Sequence, residues 1–540
     1  MRKTEPALIA TALGLIGPDP ALSPAERTVT AGIVAEPNSE KLAAFRAEIE
    51  TGGDPLGEAF ARIRAAKVRR TLGATYTPPE IVQSMLAWSA RQAGAAPVRI
   101  VDPGAGSGRF LLAAARCFPD AELIGIEIDP VAALLLRANL AASGLTARAQ
   151  ARVGDYRALD LSPAAGRTLF IGNPPYLRHH GIAPAWKDWY AATAQRLGVK
   201  ASRLAGLHLH FFLRTLELAQ PGDLGCFVTA AEWLDVNYGA ALRHLLTSAL
   251  GVTALHQLDP KSLPFADAVT TGVITGFAVG ARPESVRVDR VSSVAALADL
   301  TGGADVPRAT LATTSRWSRI LRPAAAIPSG WVELGEICRV HRGQVTGGNA
   351  VWIAGPHSAG LPAEVLFPSI TKARELLADE TLSDSSHLRR VIDLPLDLEC
   401  LSASDAVERF LAWARQQGAD RGYIARHRKA WWSVGLKVPA PILCTYMARR
   451  PPAFVRNRCG ARHINIAHGL YPREPLTEPA LDALAAFLRE NVTQAAGRTY
   501  AGGLTKFEPK ELERIPVPRP EAIVARYCGT TRQVALPVET

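Results

Sequence analysis

The chain has 540 residues, of which 48% are hydrophobic and 21% are charged, values that exclude a largely disordered protein. This length predicts two or three domains, each with a core of its own. The 61 lysine and arginine residues outnumber the 50 aspartate and glutamate residues, and the resulting net charge of +11 favours a polyanionic partner such as nucleic acid.

Cysteine spacing and hydropathy indicate the cellular compartment of the protein. The 7 cysteines are scattered and form no CxxC pair, which suits a reducing cytosol and predicts neither a zinc ribbon nor a redox motif. The histidine pairs at 179–180 and 208–210 have no acidic ligand set beside them, so we expect no metal site. No apolar run is long enough to span a bilayer. We therefore expect a cytoplasmic protein with no membrane partner.

The N-terminal part of the chain predicts helices. Apolar residues at helical intervals, such as Leu42, Phe45 and Ile49, predict a helical cap over residues 1–70. Thr77 then lies at an N-cap position, with two prolines in the first turn and Glu80 three residues later. Taken alone, this pattern indicates a well-capped helix, although its free backbone amides also suit an anionic carboxylate.

A glycine-rich turn follows the short predicted strand 98–101. The turn, residues 102–108, has the sequence Asp-Pro-Gly-Ala-Gly-Ser-Gly and leads into a helix. Glycines at a strand-to-helix turn allow a ligand to approach the backbone closely. The spacing differs from that of dinucleotide sites, and no phosphate-binding Gly-Lys-Ser/Thr follows, so the turn alone does not identify the ligand.

Three further strand ends bear polar residues. Glu127 follows the apolar strand 122–126 and could accept both hydroxyls of a ribose, and Asp155 follows the next predicted strand. The apolar run 168–171 leads into Gly172-Asn173-Pro174-Pro175-Tyr176, where two prolines force the chain out of the sheet. The Asn173 amide and the Pro174 carbonyl offer acceptors for an exocyclic amino group, and the Tyr176 ring offers a surface for a base. Four such ends predict a doubly wound, mostly parallel α/β sheet with a site at one edge.

In this order, these segments resemble the gamma class of adenine-N6 DNA methyltransferases (TaqI type), and the resemblance extends from about residue 70 to residue 520. It implies a Rossmann-like methyltransferase sheet and a C-terminal α+β target-recognition domain. It implies S-adenosylmethionine as the cofactor, with these residues as its binding site: Thr77, Asp102, Pro103, Gly104, Ala105, Gly106, Gly108, Glu127 and Asp155. It also implies that a flipped-out adenine is held by Asn173, Pro174, Pro175 and Tyr176, and that Tyr176 and Phe265 stack on it.

Composition and resemblance together predict the domain boundaries. A helical cap over residues 1–70 precedes a catalytic domain over 71–282, a connection over 283–330, a target-recognition domain over 331–520 and a tail over 521–540. In the target-recognition domain basic and aromatic residues interleave, a pattern that suits contact with phosphates and base edges. The residues predicted to contact DNA are Arg426, Arg428, Lys429, Arg449, Arg456 and Lys506.

The resemblance implies sequence-specific methylation of adenine N6 in double-stranded DNA, as the modification part of a restriction-modification system. A separate cognate restriction endonuclease is a candidate partner, and we expect a monomer that methylates DNA without cleaving it. Two alternatives remain open: methylation of an RNA base or a protein glutamine amide, since Asn-Pro-Pro-Tyr also occurs in those enzymes, and a DNA-binding protein with a silent methyltransferase fold. The basic segment after Trp331 favours DNA over the first alternative, and the intact motifs disfavour the second.

Overall fold

The computed structural model describes residues 4–18, 21–64, 77–92, 94–258, 272–298, 300–321, 327–401, 404–499 and 504–528. The chain forms two compact units, Met1–Ala324 and Ala325–Thr540. Phe265, predicted to stack on the target base, lies outside the described residues.

A nine-stranded sheet forms the centre of the first unit. Its strands in chain order are β1 (Arg99–Pro103), β2 (Glu122–Glu127), β3 (Ala149–Val153), β4 (Thr168–Gly172), β5 (Leu224–Ala230), β6 (Val252–Leu258), β7 (Gly272–Ala278), β8 (Ser285–Val291) and β9 (Ala304–Pro307). The spatial order is β3-β2-β1-β4-β5-β7-β6-β8-β9. Strands β3, β2, β1, β4 and β5 run parallel to one another, whereas β7 is antiparallel to both β5 and β6. The predicted mostly parallel, doubly wound sheet is confirmed.

Helices cover both faces of this sheet. They are α1 (Glu5–Ile16), α2 (Pro24–Thr30), α3 (Ser39–Glu50), α4 (Pro55–Ile63), α5 (Pro79–Gln92), α6 (Arg109–Cys117), α7 (Pro130–Ala142), α8 (Pro184–Arg196), α9 (Leu207–Leu218), α10 (Ala240–Thr247), α11 (Val294–Leu297), α12 (Arg308–Thr313) and α13 (Ser318–Leu321). Because both faces are covered, β4 is buried along its whole length. Phe170 packs into the core on one face, and Leu169 and Ile171 pack into the core on the other.

The N-terminal helices form a layer of their own. Leu8 from α1 and Leu56 and Phe60 from α4 are buried in one cluster with Leu134 and Leu135 of α7. Helix α7 thus has the N-terminal layer on one side and the sheet on the other, where it contacts β2 and β3. The helices predicted in the N-terminal segment are present among its described residues.

The stretch 283–330, expected to be a connection, contributes two strands instead. Strand β8 pairs in parallel with β6, and β9 pairs antiparallel with β8. The sequence expectation differed because charged residues alternate with Val286, Val288 and Val291, which are buried. The alternation is that of a strand, although the composition resembles that of a loop.

The second unit combines short strands with short helices. Its strands are β10 (Trp331–Glu333), β11 (Cys338–Arg342), β12 (Leu366–Ile370), β13 (Thr381–Leu382), β14 (Arg390–Ile392), β15 (Ile442–Thr445), β16 (Met447–Ala448), β17 (Phe454–Asn457), β18 (Arg462–His463), β19 (Ala467–Pro472), β20 (Arg498–Thr499), β21 (Thr505–Lys506) and β22 (Pro516–Pro518). The helices are α14 (Leu334–Ile337), α15 (Asn349–Trp352), α16 (Ser404–Gln416), α17 (Tyr423–Arg426), α18 (Glu478–Asn491), α19 (Pro509–Leu512) and α20 (Pro520–Cys528).

The largest sheet of this unit has five strands in the order β11-β19-β15-β17-β13. Helix α18 packs against it through Leu484, Phe487 and Leu488, which share a core with Phe454 and Phe507. The unit is therefore α+β, as predicted for the C-terminal part of the chain. Within the described ranges of both units, no helix is long and apolar enough to cross a membrane.

Candidate active site

Four parallel strands end at the same edge of the first sheet. In the register of the sheet, Pro103 of β1 lies beside Ile126, and Glu127 of β2 lies beside Val153 of β3. The turns that follow these strands and β4 line a cavity of about 430 Å³. The predicted site residues that line it are Thr77, Gly104, Ala105, Gly106, Glu127, Asp155, Asn173 and Pro175. Residues from five separate segments are thus brought together. Among the described residues, the predicted site residues that do not line the cavity are Asp102, Pro103, Gly108, Pro174 and Tyr176.

The glycine-rich turn is held by backbone hydrogen bonds and by close packing. The Gly104 and Ala105 amides both donate to the Ile126 carbonyl, at 2.9 and 3.0 Å. Gly108 has φ +96°, and a Cβ at this position would lie 2.4 Å from Leu136 Cδ1. Both the conformation and the contact require glycine here.

Glu127 forms the acidic end of β2. Its Oε2 accepts from the Gly106 amide at 2.8 Å, and its Oε1 accepts from the Asp129 amide at 2.9 Å. Burial raises the pKa of Glu127, while the backbone donors act in the opposite direction. The two amides fix the carboxylate at the cavity wall, and each oxygen keeps a second lone pair for a ligand donor.

Asp155 is engaged by a neighbouring arginine. Its Oδ1 accepts from the backbone amide and from Nε of Arg157, both at 2.9 Å, and its Oδ2 accepts from Nη2 at 2.6 Å. The Arg157 guanidinium lies over the Trp186 ring, 4.2 Å from the centroid. Asp155, Arg157 and Trp186 all line the cavity, so they form one wall of it.

Asp102, at the carboxyl end of β1, is fully buried. Neither carboxylate oxygen has a hydrogen-bond partner among the described residues. Burial raises the pKa of Asp102 well above its ordinary value, and the nearby Glu127 raises it further. A buried carboxylate without a partner is costly, so the neutral acid is favoured here, and Asp102 is not among the residues that line the cavity.

The prediction that Thr77 caps a helix is wrong. Helix α5 begins at Pro79, and the Pro78 carbonyl accepts from the Val82 amide in its first turn. The Thr77 hydroxyl oxygen instead accepts from Asn173 Nδ2 at 3.0 Å. The sequence pattern was misleading because the same hydroxyl that suits an N-cap is used by a side chain distant in sequence.

The Asn-Pro-Pro-Tyr segment packs directly against the glycine-rich turn. A Cβ on Gly104 would lie 3.5 Å from Pro175 Cδ. The Tyr176 hydroxyl donates to the Val228 carbonyl of β5 at 3.4 Å, and the Tyr176 ring meets the buried His208 edge-on, 6.3 Å between centroids. Burial raises the pKa of Tyr176 and lowers that of His208 to about 4, so the tyrosine keeps its proton and the histidine is neutral at pH 7.

Several cavity residues were not found by sequence reasoning. Phe60 and Arg64 of the N-terminal layer line the cavity, as do Trp186 of α8 and Phe211 of α9. Aromatic residues of this kind also fill ordinary cores, so nothing in their local pattern distinguishes them.

The residues predicted to contact DNA have different environments in the second unit. Arg426, Lys429 and Arg449 are exposed. Arg428 is partly buried and donates from Nη2 to the Val345 carbonyl at 2.6 Å. Lys506 pairs with Glu508 and lies 5.3 Å from the centroid of the Tyr446 ring.

Arg456 requires a correction. Its side chain is only 3% exposed and forms ion pairs with Glu478 and Asp482 of helix α18, at 2.6 and 2.8 Å. The guanidinium joins β17 to α18 and is not presented to a partner. Arginine density in the sequence does not distinguish such a paired arginine from an exposed one.

With this geometry established, comparisons with known proteins identify the family. A family model described as "Type II methyltransferase M.Eco57I, C-terminal domain" matches residues 327–534, and one described as "Eco57I restriction-modification methylase" matches residues 166–262. The chain is 52% identical over 535 residues to Type II methyltransferase M.XamI of Xanthomonas campestris pv. amaranthicola, covering 97% of this chain and 99% of that protein. The chain belongs to the type II methyltransferases.

Two other relatives are similar to this type II methyltransferase over different shares of its length. It is 25% identical over 513 residues to Type II methyltransferase M.PaeR7I of Pseudomonas aeruginosa, covering 83% of this chain and 86% of that protein. It is 30% identical over 222 residues to a tRNA1(Val) (adenine(37)-N6)-methyltransferase of Porphyromonas gingivalis, covering 37% of this chain and 82% of that protein. The restriction-modification family predicted from the sequence is confirmed.

S-adenosylmethionine is the cofactor of this type II methyltransferase, and the cavity fits it. The glycine-rich turn admits a ligand close to the backbone, and the fixed Glu127 carboxylate suits a pair of ribose hydroxyls. Within the described residues, no cluster of His, Cys, Asp or Glu could hold a metal ion.

Proposed function

We propose that this type II methyltransferase transfers a methyl group from S-adenosylmethionine to the N6 amino group of an adenine flipped out of double-stranded DNA, at a specific sequence. The observation that carries the proposal is the position of Asn173. Its side chain lies at the wall of the cofactor cavity and is held there by Thr77. The relative that methylates adenine N6 in tRNA supports adenine as the target base.

We assign the cofactor contacts by position in the cavity. Thr77 and the turn formed by Asp102, Pro103, Gly104, Ala105, Gly106 and Gly108 hold the methionine part. Glu127 accepts from the ribose hydroxyls, and Asp155 accepts from the cofactor adenine. When bound, S-adenosylmethionine supplies an electrophilic methyl group on a sulfonium.

We assign the target contacts to the segment after β4. An aromatic amine is a weak nucleophile because its lone pair is delocalised into the ring. Acceptors at Asn173 Oδ1 and the Pro174 carbonyl engage the two N–H groups and favour a pyramidal nitrogen, whose lone pair then points away from the acceptors. Pro175 packs on Gly104 and fixes this segment beside the cofactor site. The contribution to the rate is orientation and charge stabilisation, and it needs no covalent intermediate.

Tyr176 provides a stacking surface for the extracted base. Its ring is fixed by the bond to the Val228 carbonyl and by the edge contact with His208. Stacking offsets part of the cost of removing a base from the duplex. Phe265, implied by the resemblance as the second stacking residue, stays part of the proposal.

DNA contact is assigned to the target-recognition domain, residues 331–520, with 71–282 as the catalytic domain. Arg426, Lys429 and Arg449 are suited to phosphates because they are exposed. Tyr423, which is 75% exposed, begins helix α17 six residues before Lys429 and adds an aromatic group suited to an opened duplex. Arg428 and Lys506 are assigned to the same domain, and Arg456 is left out.

An RNA base is the second candidate substrate, favoured by the 30% identity to the tRNA methyltransferase. That likeness covers only 37% of this chain. The second unit instead matches the C-terminal domain of a type II methyltransferase, so we favour DNA. We propose a cytoplasmic monomer, with a separate endonuclease as its functional partner.

The decisive experiment is transfer of a labelled methyl group from S-adenosylmethionine to unmethylated genomic DNA, RNA or protein, followed by hydrolysis of the product. We expect N6-methyladenine in DNA, no cleavage of the DNA, and loss of transfer in Asn173→Ala with cofactor binding retained. Label in RNA or protein alone would overturn the DNA assignment, and methylcytosine would overturn the adenine assignment.

A further inference from the structure

The N-terminal helical layer, which no motif accounts for, contributes directly to the cofactor cavity. Phe60 and Arg64, at the end of helix α4, are among the lining residues. The Arg64 guanidinium lies 4.6 Å from the centroid of the Phe60 ring and forms ion pairs with Glu5 and Asp129. Asp129 lies two residues after Glu127. The layer is therefore joined to the strand end that bears the proposed ribose acceptor.

A buried carboxylate, Asp54, connects this layer to the glycine-rich turn. Its side chain is only 6% exposed and caps helix α4, where Oδ1 accepts from the Gly57 amide at 2.9 Å. Oδ2 accepts from the Ser107 hydroxyl at 2.6 Å and from Arg109 Nε at 2.7 Å. Asn139 of α7 donates to Asp54 Oδ1 at 3.1 Å and to the Ser107 carbonyl at 2.8 Å. One carboxylate thus fixes the helix, the turn and its following residue together.

Helix α4 and the glycine-rich turn are in close contact at Gly57. A Cβ on Gly57 would lie 2.0 Å from Asp54 Oδ2 and 2.4 Å from Ser107 Oγ. Only glycine permits helix α4 to approach the turn this closely. Hydrogen bonds to a buried, charged acceptor are among the stronger side-chain interactions, so this contact is a rigid one.

The same network reaches the proposed target site. Arg109, held by Asp54, donates from Nη1 to the Thr77 carbonyl at 3.2 Å. Thr77 in turn accepts from Asn173 Nδ2 at 3.0 Å. A continuous series of hydrogen bonds therefore runs from Asp54 through Arg109 and Thr77 to Asn173.

We propose that Asp54 is a positioning residue for both halves of the active site, and that the N-terminal layer is a wall of the S-adenosylmethionine pocket. Asp54 holds the glycine-rich turn in its cofactor-binding conformation through Ser107. Through Arg109 and Thr77 it sets the orientation of Asn173, a step that rests on the proposed function of Asn173. Asp54, Phe60 and Arg64 thus extend the functional site into the N-terminal layer.

The first test measures cofactor binding without DNA, by titration calorimetry of the full chain with S-adenosylmethionine. Asp54→Asn keeps the volume and an acceptor for helix α4 but removes the charge that Ser107 and Arg109 share. We expect the Kd to rise by about tenfold or more, which corresponds to the loss of one charge-assisted hydrogen bond. Glu58→Gln, an exposed position on the same helix, is the matched control and leaves the Kd unchanged.

The second test separates positioning from general destabilisation. Hydrogen exchange of the peptide that contains Gly104–Gly108 is measured in folded protein, below the melting temperature of each variant. We expect faster exchange there in Asp54→Asn and in Gly57→Ala, with unchanged exchange in β4. In a double-mutant cycle, Asp54→Asn combined with Ser107→Ala should cost less affinity than the sum of the single changes.

The outcomes distinguish this inference from the proposed function. An unchanged Kd and unchanged exchange in Asp54→Asn overturn the role of Asp54. A weakened Kd with no DNA methylation by the unmodified protein supports the pocket wall and overturns the proposed substrate. A weakened Kd with kcat at saturating cofactor equal to that of the unmodified protein overturns the link from Asp54 to Asn173.

Discussion

Asn173 and Thr77, separated by 96 residues in sequence, are joined by a hydrogen bond from the asparagine amide to the threonine hydroxyl at 3.0 Å. The donation from Nδ2 to Thr77 fixes the orientation of the amide, and Oδ1 is the acceptor atom of that group. Thr77 therefore contacts the residue that is proposed to bind the target amine, and it also lines the cavity proposed for the cofactor.

Replacing Thr77 by valine should lower kcat for methyl transfer by roughly tenfold or more, because the amide of Asn173 loses the partner that orients it. Thr77→Ser retains the hydroxyl and should keep most of the activity. The measurement is steady-state transfer of labelled methyl to DNA at saturating cofactor. Equal kcat values for the valine and serine variants would contradict this role.

Asp102 should lower the stability of the fold while supporting cofactor binding. Its folded-state pKa is raised above 3.8 by burial and by Glu127, so the stability that the carboxyl contributes is lost as pH rises through and above 3.8. Asp102→Asn removes this ionisation and should increase the free energy of unfolding at pH 8, by an amount on the order of 1–2 kcal/mol. The difference between variant and unmodified protein should shrink as pH falls towards 4.

The same substitution tests the proposed role of the turn in cofactor binding, which predicts weaker S-adenosylmethionine binding in the variant because the amide does not replace the carboxyl group at the carboxyl end of β1. Urea unfolding at pH 8 and pH 5 measures the first effect, and calorimetric titration at pH 8 measures the second. A variant that is less stable than the unmodified protein at pH 8 would show that the buried carboxylate has a partner in solution.

Buried histidines should make the fold sensitive to mild acid. Burial lowers the pKa of His210 to about 3 and those of His208, His463 and His468 to about 4, from 6.5. Since their folded-state pKa values lie below the unfolded value, protonation favours the unfolded chain. Stability is fully present above pH 6.5 and is lost as pH falls from 6.5 towards 3–4. Each histidine should cost about 1 kcal/mol at pH 5.5.

His210 offers a clean control for this effect, because its ring is stacked on Tyr190 at 4.4 Å and phenylalanine can replace it there. Urea unfolding midpoints at pH 7.5 and pH 5.5 are compared for the unmodified protein and His210→Phe. We expect a smaller loss of stability between the two pH values in the variant. Identical losses would show that His210 does not resist protonation in the folded state.

The sequence predicted some strands and some site residues and missed others. The order of the motifs and the apolar strand before each one fixed the parallel sheet, because parallel strands place their carboxyl ends at one edge. The two strands β8 and β9 were missed because charged residues alternate with valines there. The loop-like composition was given more weight than the two-residue alternation that is typical of a strand. The local sequence pattern was thus enough to predict strands that are buried on both faces, but it did not predict strands that are half exposed.

Within the site, residues in a continuous motif were found and residues recruited from elsewhere were not. Gly104, Glu127 and Asn173 lie at strand ends, so their proximity follows from topology. Phe60 and Arg64 reach the cavity only because the N-terminal layer packs on α7, a tertiary contact with no local signal. Arg456 shows the converse: its basic neighbours suggested a DNA contact, but acidic residues of α18, some twenty positions away, bury it.

Salt dependence of DNA binding should separate the exposed arginines and lysines of the second unit from the paired one. Arg426→Ala and Lys429→Ala should each weaken DNA binding about equally for specific and non-specific sequences. Each should also reduce the slope of log K against log salt by about 1, because each removes one phosphate contact.

Arg456→Ala should behave differently. It removes a buried guanidinium, but Glu478 and Asp482 are 65% and 41% exposed and Asp482 keeps Arg458 as a partner, so the free energy of unfolding should fall by only about 1–2 kcal/mol. Below its melting temperature the variant should keep the salt slope of the unmodified protein. A reduced slope for Arg456→Ala with unchanged stability would restore Arg456 to the DNA contact, and unchanged slopes for Arg426→Ala and Lys429→Ala would remove those two from it. The two readouts, unfolding and salt slope, are independent, so each residue is assigned to the core or to the DNA surface by its own result.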